Sequence, residues 1–235
     1  MSNIFDQWSL YSRILANNYM RHRDLSVVLR EFLAGLDRSC RVLDLGCGDG
    51  WMARECLKNT QVRRYVGIDT SADAIARLRA CPPAGSNPDN ARIDLSCEDV
   101  FTALHALPAG EFDLVLSSYC LHHFSQPQKL VVLRQIRRVL TPDGSFIWTD
   151  LARHSQQMRD TCLKSLVHEI RQNWSALRSD EVEETVAHVL SSDFPEEEHW
   201  MLDTARECGF SLARALHRDE FYGSWAFVAA PDGNG

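Results

Sequence analysis

Two hydrophobic periods alternate along the chain between Arg41 and Asp150. Short apolar runs occur at RVLDL, RYVGID, ARIDLS, FDLVLSSYC and GSFIWTD. Between them, apolar residues recur every three or four positions in GWMARECLKN, SADAIARLRAC, EDVFTALHAL and QKLVVLRQIRRVL. The first pattern predicts buried strands and the second amphipathic helices. Their alternation predicts five βα units, hence a parallel sheet with helices on both faces. Ser71 stands where an N-cap would open a helix. PPAGSNPDN reads as a loop, and TPDG as a turn that stops the helix before the fifth strand.

The flanks break this rhythm. Residues 1–36 read as helices rich in aromatics, with Phe5, Trp8, Tyr11 and Tyr19 on the first. Residues 152–192 read as further helices inserted after the fifth strand, and PEEEHWMLDTARECGF as one more. SLARALHRD and YGSWAFVAA then predict an antiparallel closing hairpin over 210–230. The whole reads as one domain, with a cofactor-binding core at 41–150 flanked by a helical lid at 1–36 and a helical substrate cover at 152–192. The fold class is α/β: a seven-stranded sheet, mostly parallel, with the last strand antiparallel.

Composition narrows the class. A chain of 235 residues can bury one sizeable core. It is 45% hydrophobic and 24% charged, an ordinary globular balance. No apolar run reaches the roughly 18 residues that a membrane span needs. The N-terminal MSNIFDQWSLYSR lacks the basic start and apolar run of a signal peptide. The eight cysteines are scattered without a Cys-x-x-Cys pair, so they read as reduced thiols of a cytoplasmic protein. A net charge of −7 argues against a nucleic-acid partner. The basic run Arg134–Arg138 reads as a solvated helix face.

The most informative stretch is RVLDLGCGDG. Gly46, Cys47 and Gly48 follow a buried-strand pattern directly, where a ligand could approach the backbone. Asp69 ends the second strand 19 residues beyond Gly50, where an acidic side chain can reach the ribose of a nucleoside. The dinucleotide spacing is not kept, because Trp51 and the tight Gly46-x-Gly48-x-Gly50 spacing disfavour an NAD-dependent oxidoreductase. Asp44 and Asp49 would repel phosphates and suit a ligand carrying an ammonium or sulfonium group.

VLDLGCGDG resembles the first motif of class I S-adenosylmethionine-dependent methyltransferases. YVGIDTS is similar to their second motif, IDLSCEDVF to the third, FDLVLSSYCLHHF to the fourth-strand motif of the small-molecule branch, and LRQIRRVLTPDGSFIWTD to the helix, turn and strand that follow it. The resemblance covers roughly residues 40–150. It implies a Rossmann-like fold, S-adenosyl-L-methionine as cofactor, and methyl transfer to a small-molecule metabolite by in-line displacement. A catalytically inactive regulatory or scaffold subunit is the alternative. The implied cofactor-binding residues are Asp44, Gly46, Cys47, Gly48, Asp69, Thr70, Asp99 with Glu98 as its rival for the adenine amino group, Val100 and Ser117. Tyr11 and Tyr19 would line the cofactor from the N-terminal helix.

The methyl donor arrives activated, so proximity and orientation carry most of the catalysis. A hydroxyl acceptor also needs a base. His122 and His123 follow the fourth strand and Asp150 ends the fifth, as the base pair does in some relatives. Arg153 and His154 would face the substrate side. Trp174, Phe194, Phe221, Tyr222 and Trp225 read either as core or as pocket walls, and SDEVEE as a solvated helix face. The residues after the fourth strand do not form the [DNS]-P-P-[YF] signature of base- and glutamine-directed enzymes. No metal site is expected.

Overall fold

The computed structural model describes residues 8–36, 38–83, 85 and 91–230. Phe5 and most of PPAGSNPDN lie outside them. Five strands run in parallel: β1 (Cys40–Leu45), β2 (Val62–Asp69), β3 (Arg92–Cys97), β4 (Phe112–Ser118) and β5 (Leu140–Arg153). Two-residue β6 (Glu196–Glu197) pairs with the end of β5, and β7 (Phe210–Arg218) and β8 (Tyr222–Ala229) form the closing hairpin. The main order is β3-β2-β1-β4-β5-β8-β7, with β8 antiparallel to both neighbours. Strand order therefore reverses between β1 and β4. In such sheets the crevice beyond the carboxyl ends at this point is where ligands bind.

Each predicted core helix forms: α3 (Trp51–Cys56), α4 (Ala72–Ala80), α5 (Val100–Ala106) and α6 (Gln126–Val139). Ser71 caps α4, its hydroxyl accepting from the Ala74 N–H at 3.3 Å. One apolar cluster fills the side of the sheet covered by α5 and α6, around Leu133, Ile136, Phe146 and Trp148. A second, around Leu33, Tyr65, Leu78 and Leu114, lies under α2 (His22–Leu33), α3 and α4.

TPDG does not separate helix from strand. Leu140 already faces Phe112, while the next pairing joins Leu114 to Ser145. Residues 141–144 thus bulge out of a strand that starts directly after α6. Pro142, which has no N–H for the ladder, sits exposed in the bulge. The basic run of α6 is also not simply solvated. Arg137 donates to the carbonyls of Gly209 and Ala230, and Arg138 to those of Leu104 and Leu107.

The helices outside the five βα units pack on one another. A third cluster joins Leu10 and Ile14 of α1 (Trp8–Ala16) and Leu25 of α2 to Leu163, Leu166 and Ile170 of α7 (Arg159–Asn173). Val186 and Val189 of α8 (Ser179–Ser192), with Leu151, Phe221 and Tyr222, complete it. The two flanking segments therefore form one cap. Asn18, in the left-handed region that Asn tolerates, turns the chain between α1 and α2. Glu181 of the acidic SDEVEE run is buried rather than solvated, because it pairs with Arg13 of α1 and Arg178.

Candidate functional site

A cleft of about 800 Å³ opens beyond the carboxyl ends of β1, β2 and β4 and under the cap. The turn after β1 forms its floor. Gly46, Gly48 and Gly50 all have positive φ. At Gly46 a Cβ would meet the Cβ and Sγ of Cys120 at 2.6 Å, so close packing requires the glycine. At Gly48, with φ of +53°, a Cβ would meet nothing within 4 Å. Its missing side chain leaves open space.

Asp69 ties the second strand to this turn. Its Oδ2 accepts the Gly48 N–H at 2.8 Å and its Oδ1 the Ser71 N–H at 2.8 Å. Asp44 is buried and accepts from the Tyr65 hydroxyl at 2.6 Å. Burial pushes its carboxyl up to about 7, with Tyr65 opposing and Asp69 assisting the shift. Asp49 also borders the cleft, but its carboxylate pairs with Arg54 at 3.1 Å and accepts the Trp51 N–H at 3.1 Å. It is therefore held by α3 and is not an open charge.

Among the expected cofactor residues, Tyr11, Asp44, Gly46, Cys47, Gly48, Asp69, Thr70, Glu98, Asp99 and Val100 line this cleft. Two do not. Tyr19 stacks on Trp174 with ring centroids 5.0 Å apart, and its hydroxyl accepts the Ala176 N–H at 2.8 Å; it holds the cap together instead. Ser117 is fully buried, because alternation along β4 turns its neighbour Ser118 to the cleft. Asp99 is engaged as the N-cap of α5, accepting from the N–H groups of Phe101 and Thr102 at 3.0 Å and from the Thr102 hydroxyl. Among the described residues, Glu98 accepts from the Ser96 hydroxyl.

The histidine pair is split. His122 is buried; its Nδ1 and backbone N–H both bond Asp150, which also accepts from the Trp148 indole at 2.9 Å and the Leu151 N–H at 2.9 Å. Burial opposes charge on both groups, yet their attraction holds the imidazole pKa up and the carboxyl pKa down. Asp193, beyond His122, adds to the imidazole's shift. His123, not His122, reaches the cleft. Burial pushes the Cys47 and Cys120 thiols up, so neither supplies a thiolate at neutral pH.

Sequence reasoning missed three residues here. His22 of α2 lines the cleft and is buried, and its Nδ1 has no hydrogen-bond partner among the described residues. His188 of α8 stands against His123, ring centroids 5.3 Å apart, and borders the same cleft. Asp193, at the end of α8, brings Oδ1 within 3.6 Å of His122 Nε2 and 3.4 Å of His123 Nδ1. His122, His123 and Asp193 form a group of metal-ligand type, with ligand atoms all within 4.8 Å of one another. Asp193 comes from the cap, 70 residues beyond His123, so no local motif in the sequence joins the three. The Phe194 N–H, donating to the His122 carbonyl at 2.6 Å, seats it there.

Residues 42–144 match the family model of a methyltransferase domain. The chain is 32% identical over 151 residues to an uncharacterized methyltransferase of Schizosaccharomyces pombe, covering 60% of this chain and 50% of that protein. It is 31% identical over 163 residues to an uncharacterized methyltransferase of Synechocystis, covering 66% of this chain and 71% of that one. It thus spans only half the length of the first relative. Among solved structures, a chain from the complex between the Haloferax volcanii Trm112 methyltransferase activator and a methyltransferase superposes with a TM-score of 0.66 at 16% identity. The match covers 98% of this chain and 99% of that one, and speaks for the fold. No helix of the described residues is long and apolar enough to cross a membrane.

Proposed function

Because the chain belongs to the class I S-adenosylmethionine-dependent methyltransferases, we propose that it methylates a small-molecule acceptor held in the cleft beside its cofactor. One observation carries the reading: a single cleft joins the glycine turn and Asp69 to His123, His188 and Phe194. The first group suits the cofactor, and the second, partly supplied by the cap, suits an acceptor.

The residues present fit S-adenosylmethionine. The open space at Gly48 leaves room for its methionine end. Asp69, already oriented by two backbone N–H groups, keeps lone pairs for the ribose hydroxyls. Glu98 is better placed than the helix cap Asp99 to accept from the adenine amino group, while Val100 packs on the ring. Asp44 supplies negative charge next to a cationic ligand. His22 offers a buried polar nitrogen from the cap side.

When bound, the cofactor supplies a sulfonium-activated methyl group. The chain's own work is to orient the acceptor and exclude water, which α1, α2 and α8 do by walling the cleft. A hydroxyl acceptor must also lose a proton, and His123, in the cleft wall beside the end of β4, is placed to take it. Asp150 fixes the His122 ring behind it. Turnover of labelled cofactor against a panel of small hydroxyl, amine, thiol and carbon acceptors tests the reading, with RNA and protein acceptors alongside. Transfer to a small molecule supports it; transfer confined to RNA or protein contradicts it. With a hydroxyl acceptor, His123→Ala should lose about 10²–10⁴ in turnover while cofactor affinity holds.

A further inference from the structure

His122, His123 and Asp193 lie at the junction between the sheet and the cap, where the end of β4 meets the end of α8. Three features of their geometry do not suit a purely hydrogen-bonded cluster. First, Asp193 is 4% exposed, and its Oδ1 has no hydrogen-bond partner. An orphaned buried carboxylate oxygen is costly and needs an explanation. Second, imidazole nitrogens surround this oxygen, His123 Nδ1 at 3.4 Å, His122 Nε2 at 3.6 Å and His188 Nε2 at 3.8 Å. These separations are long for direct hydrogen bonds. They match the spacing of ligands around a shared cation. Bonds of about 2.0–2.1 Å in tetrahedral geometry put ligand atoms roughly 3.4 Å apart.

Third, the His122 Nδ1 is already bonded to Asp150. Metal-ligating histidines nearly always give their second nitrogen to a carboxylate or carbonyl, which fixes the tautomer and leaves the other lone pair for the metal. That free nitrogen is Nε2, and it faces Asp193. The cluster also has space around it. His123 and His188 border the main cleft, while His122, His188 and Asp193 line a separate void of about 40 Å³. The Ser192 carbonyl, 3.4 Å from His123 Nδ1, offers a further oxygen.

We propose that His122, His123 and Asp193 bind a divalent transition-metal ion, with Asp150 orienting His122 and an open coordination position toward the cleft. Two imidazoles and one carboxylate suit zinc or iron rather than magnesium or calcium, which prefer all-oxygen sites. Three protein ligands leave a position that an acceptor oxygen can take, as in catalytic metal sites. The site rests on its own geometry and does not depend on which acceptor the cleft takes; where the ion is bound, His123 would be a ligand, and the ion rather than the imidazole would make a bound hydroxyl acidic.

The test is cobalt and zinc binding to the chelator-stripped, full-length protein. Zinc content is measured by mass spectrometry and cobalt coordination by absorption spectroscopy. S-adenosylhomocysteine binding is followed separately by calorimetry. The proposal predicts one tightly held ion per chain, with the d–d bands of nitrogen and oxygen coordination. The ion should be lost in Asp193→Asn and in His123→Ala while S-adenosylhomocysteine affinity stays near wild type and the melting temperature stays near that of the metal-free wild type. His123 is only half-buried, so its variant remains informative if Asp193→Asn folds poorly. Absence of a stoichiometric ion overturns the proposal. So do sulfur-to-cobalt charge-transfer bands, which would place the ion on cysteines, and retention of the ion in the folded His123→Ala protein. Failure of S-adenosylhomocysteine binding with the ion retained would instead count against the cofactor assignment alone.

Discussion

The Gly48 N–H donates to Oδ2 of Asp69 across 2.8 Å, joining the turn after β1 to the end of β2. One carboxylate thereby holds the floor of the cleft and, in the proposed reading, would also accept from the ribose of the cofactor. Asp69→Ala should remove both functions. Hydrogen bonds to a charged group are worth about 1.5–3 kcal/mol each. Calorimetry should show S-adenosylhomocysteine binding weakened by at least about tenfold. An unchanged dissociation constant would move the ribose contact to another residue.

Gly46 and Gly48 should respond in opposite ways to alanine. At Gly46 the new Cβ would collide with Cys120, so the melting temperature should fall sharply. At Gly48 the new methyl group enters the cleft itself. The left-handed backbone there costs a non-glycine residue about 1–2 kcal/mol. Gly48→Ala should therefore fold, melt only modestly lower, and lose most cofactor affinity. Melting curves and titrations of the two variants separate these outcomes; equal affinity in Gly48→Ala and wild type would show that nothing binds against the turn.

Asp44 should make cofactor binding depend on pH. Burial pushes its carboxyl up to about 7, against 3.8 for an ordinary aspartate. Below about 7 it is neutral, and above it carries the charge that favours a cation. Affinity for S-adenosylmethionine should rise as pH increases from about 6 to 8, more steeply than for S-adenosylhomocysteine, which lacks the sulfonium charge. Asp44→Asn should flatten the difference. The same shift makes the unliganded fold bind an extra proton between 3.8 and about 7. The stability that this proton contributes is complete below 3.8 and is lost as pH rises through about 7.

Trp174 ties α7 to the N-terminal helices through its stack on Tyr19. Trp174→Ala should cost about 3–5 kcal/mol, the usual range for a large buried aromatic. Because α1 and α2 carry Tyr11 and His22 into the cleft, cofactor affinity should fall as well. Trp174→Phe, which can keep the stacking, should recover most of both losses. A melting temperature unaffected by Trp174→Ala would mean that the cap is held by other contacts. The shared apolar cluster also means that deleting residues 152–192 would strip Leu10, Ile14 and Leu25 of their cover.

The βα core was readable because its strands and helices carry different periods, and the glycine turn at the end of β1 because glycine spacing is a local signal. The failures came where structure is not local. TPDG has the composition of a turn, but strand pairing on both sides absorbs it as a bulge. Ser117 and Ser118 are adjacent and chemically alike, and only the pleat decides which one faces the cleft. Tyr19 could have lined a ligand or a neighbouring helix, and Trp174, 155 residues away, settled it. His22, His188 and Asp193 lie outside every motif. Their one sequence trace is that each sits on or at the end of a predicted cap helix, which says nothing about which side of that helix meets the cleft.

Calorimetric titration of the wild-type protein with S-adenosylhomocysteine and, separately, NADH tests the central claim most directly. We expect saturable binding of S-adenosylhomocysteine with one site per chain and no heat from NADH. Binding of NADH in place of S-adenosylhomocysteine, or of neither, would contradict the assignment of this cleft.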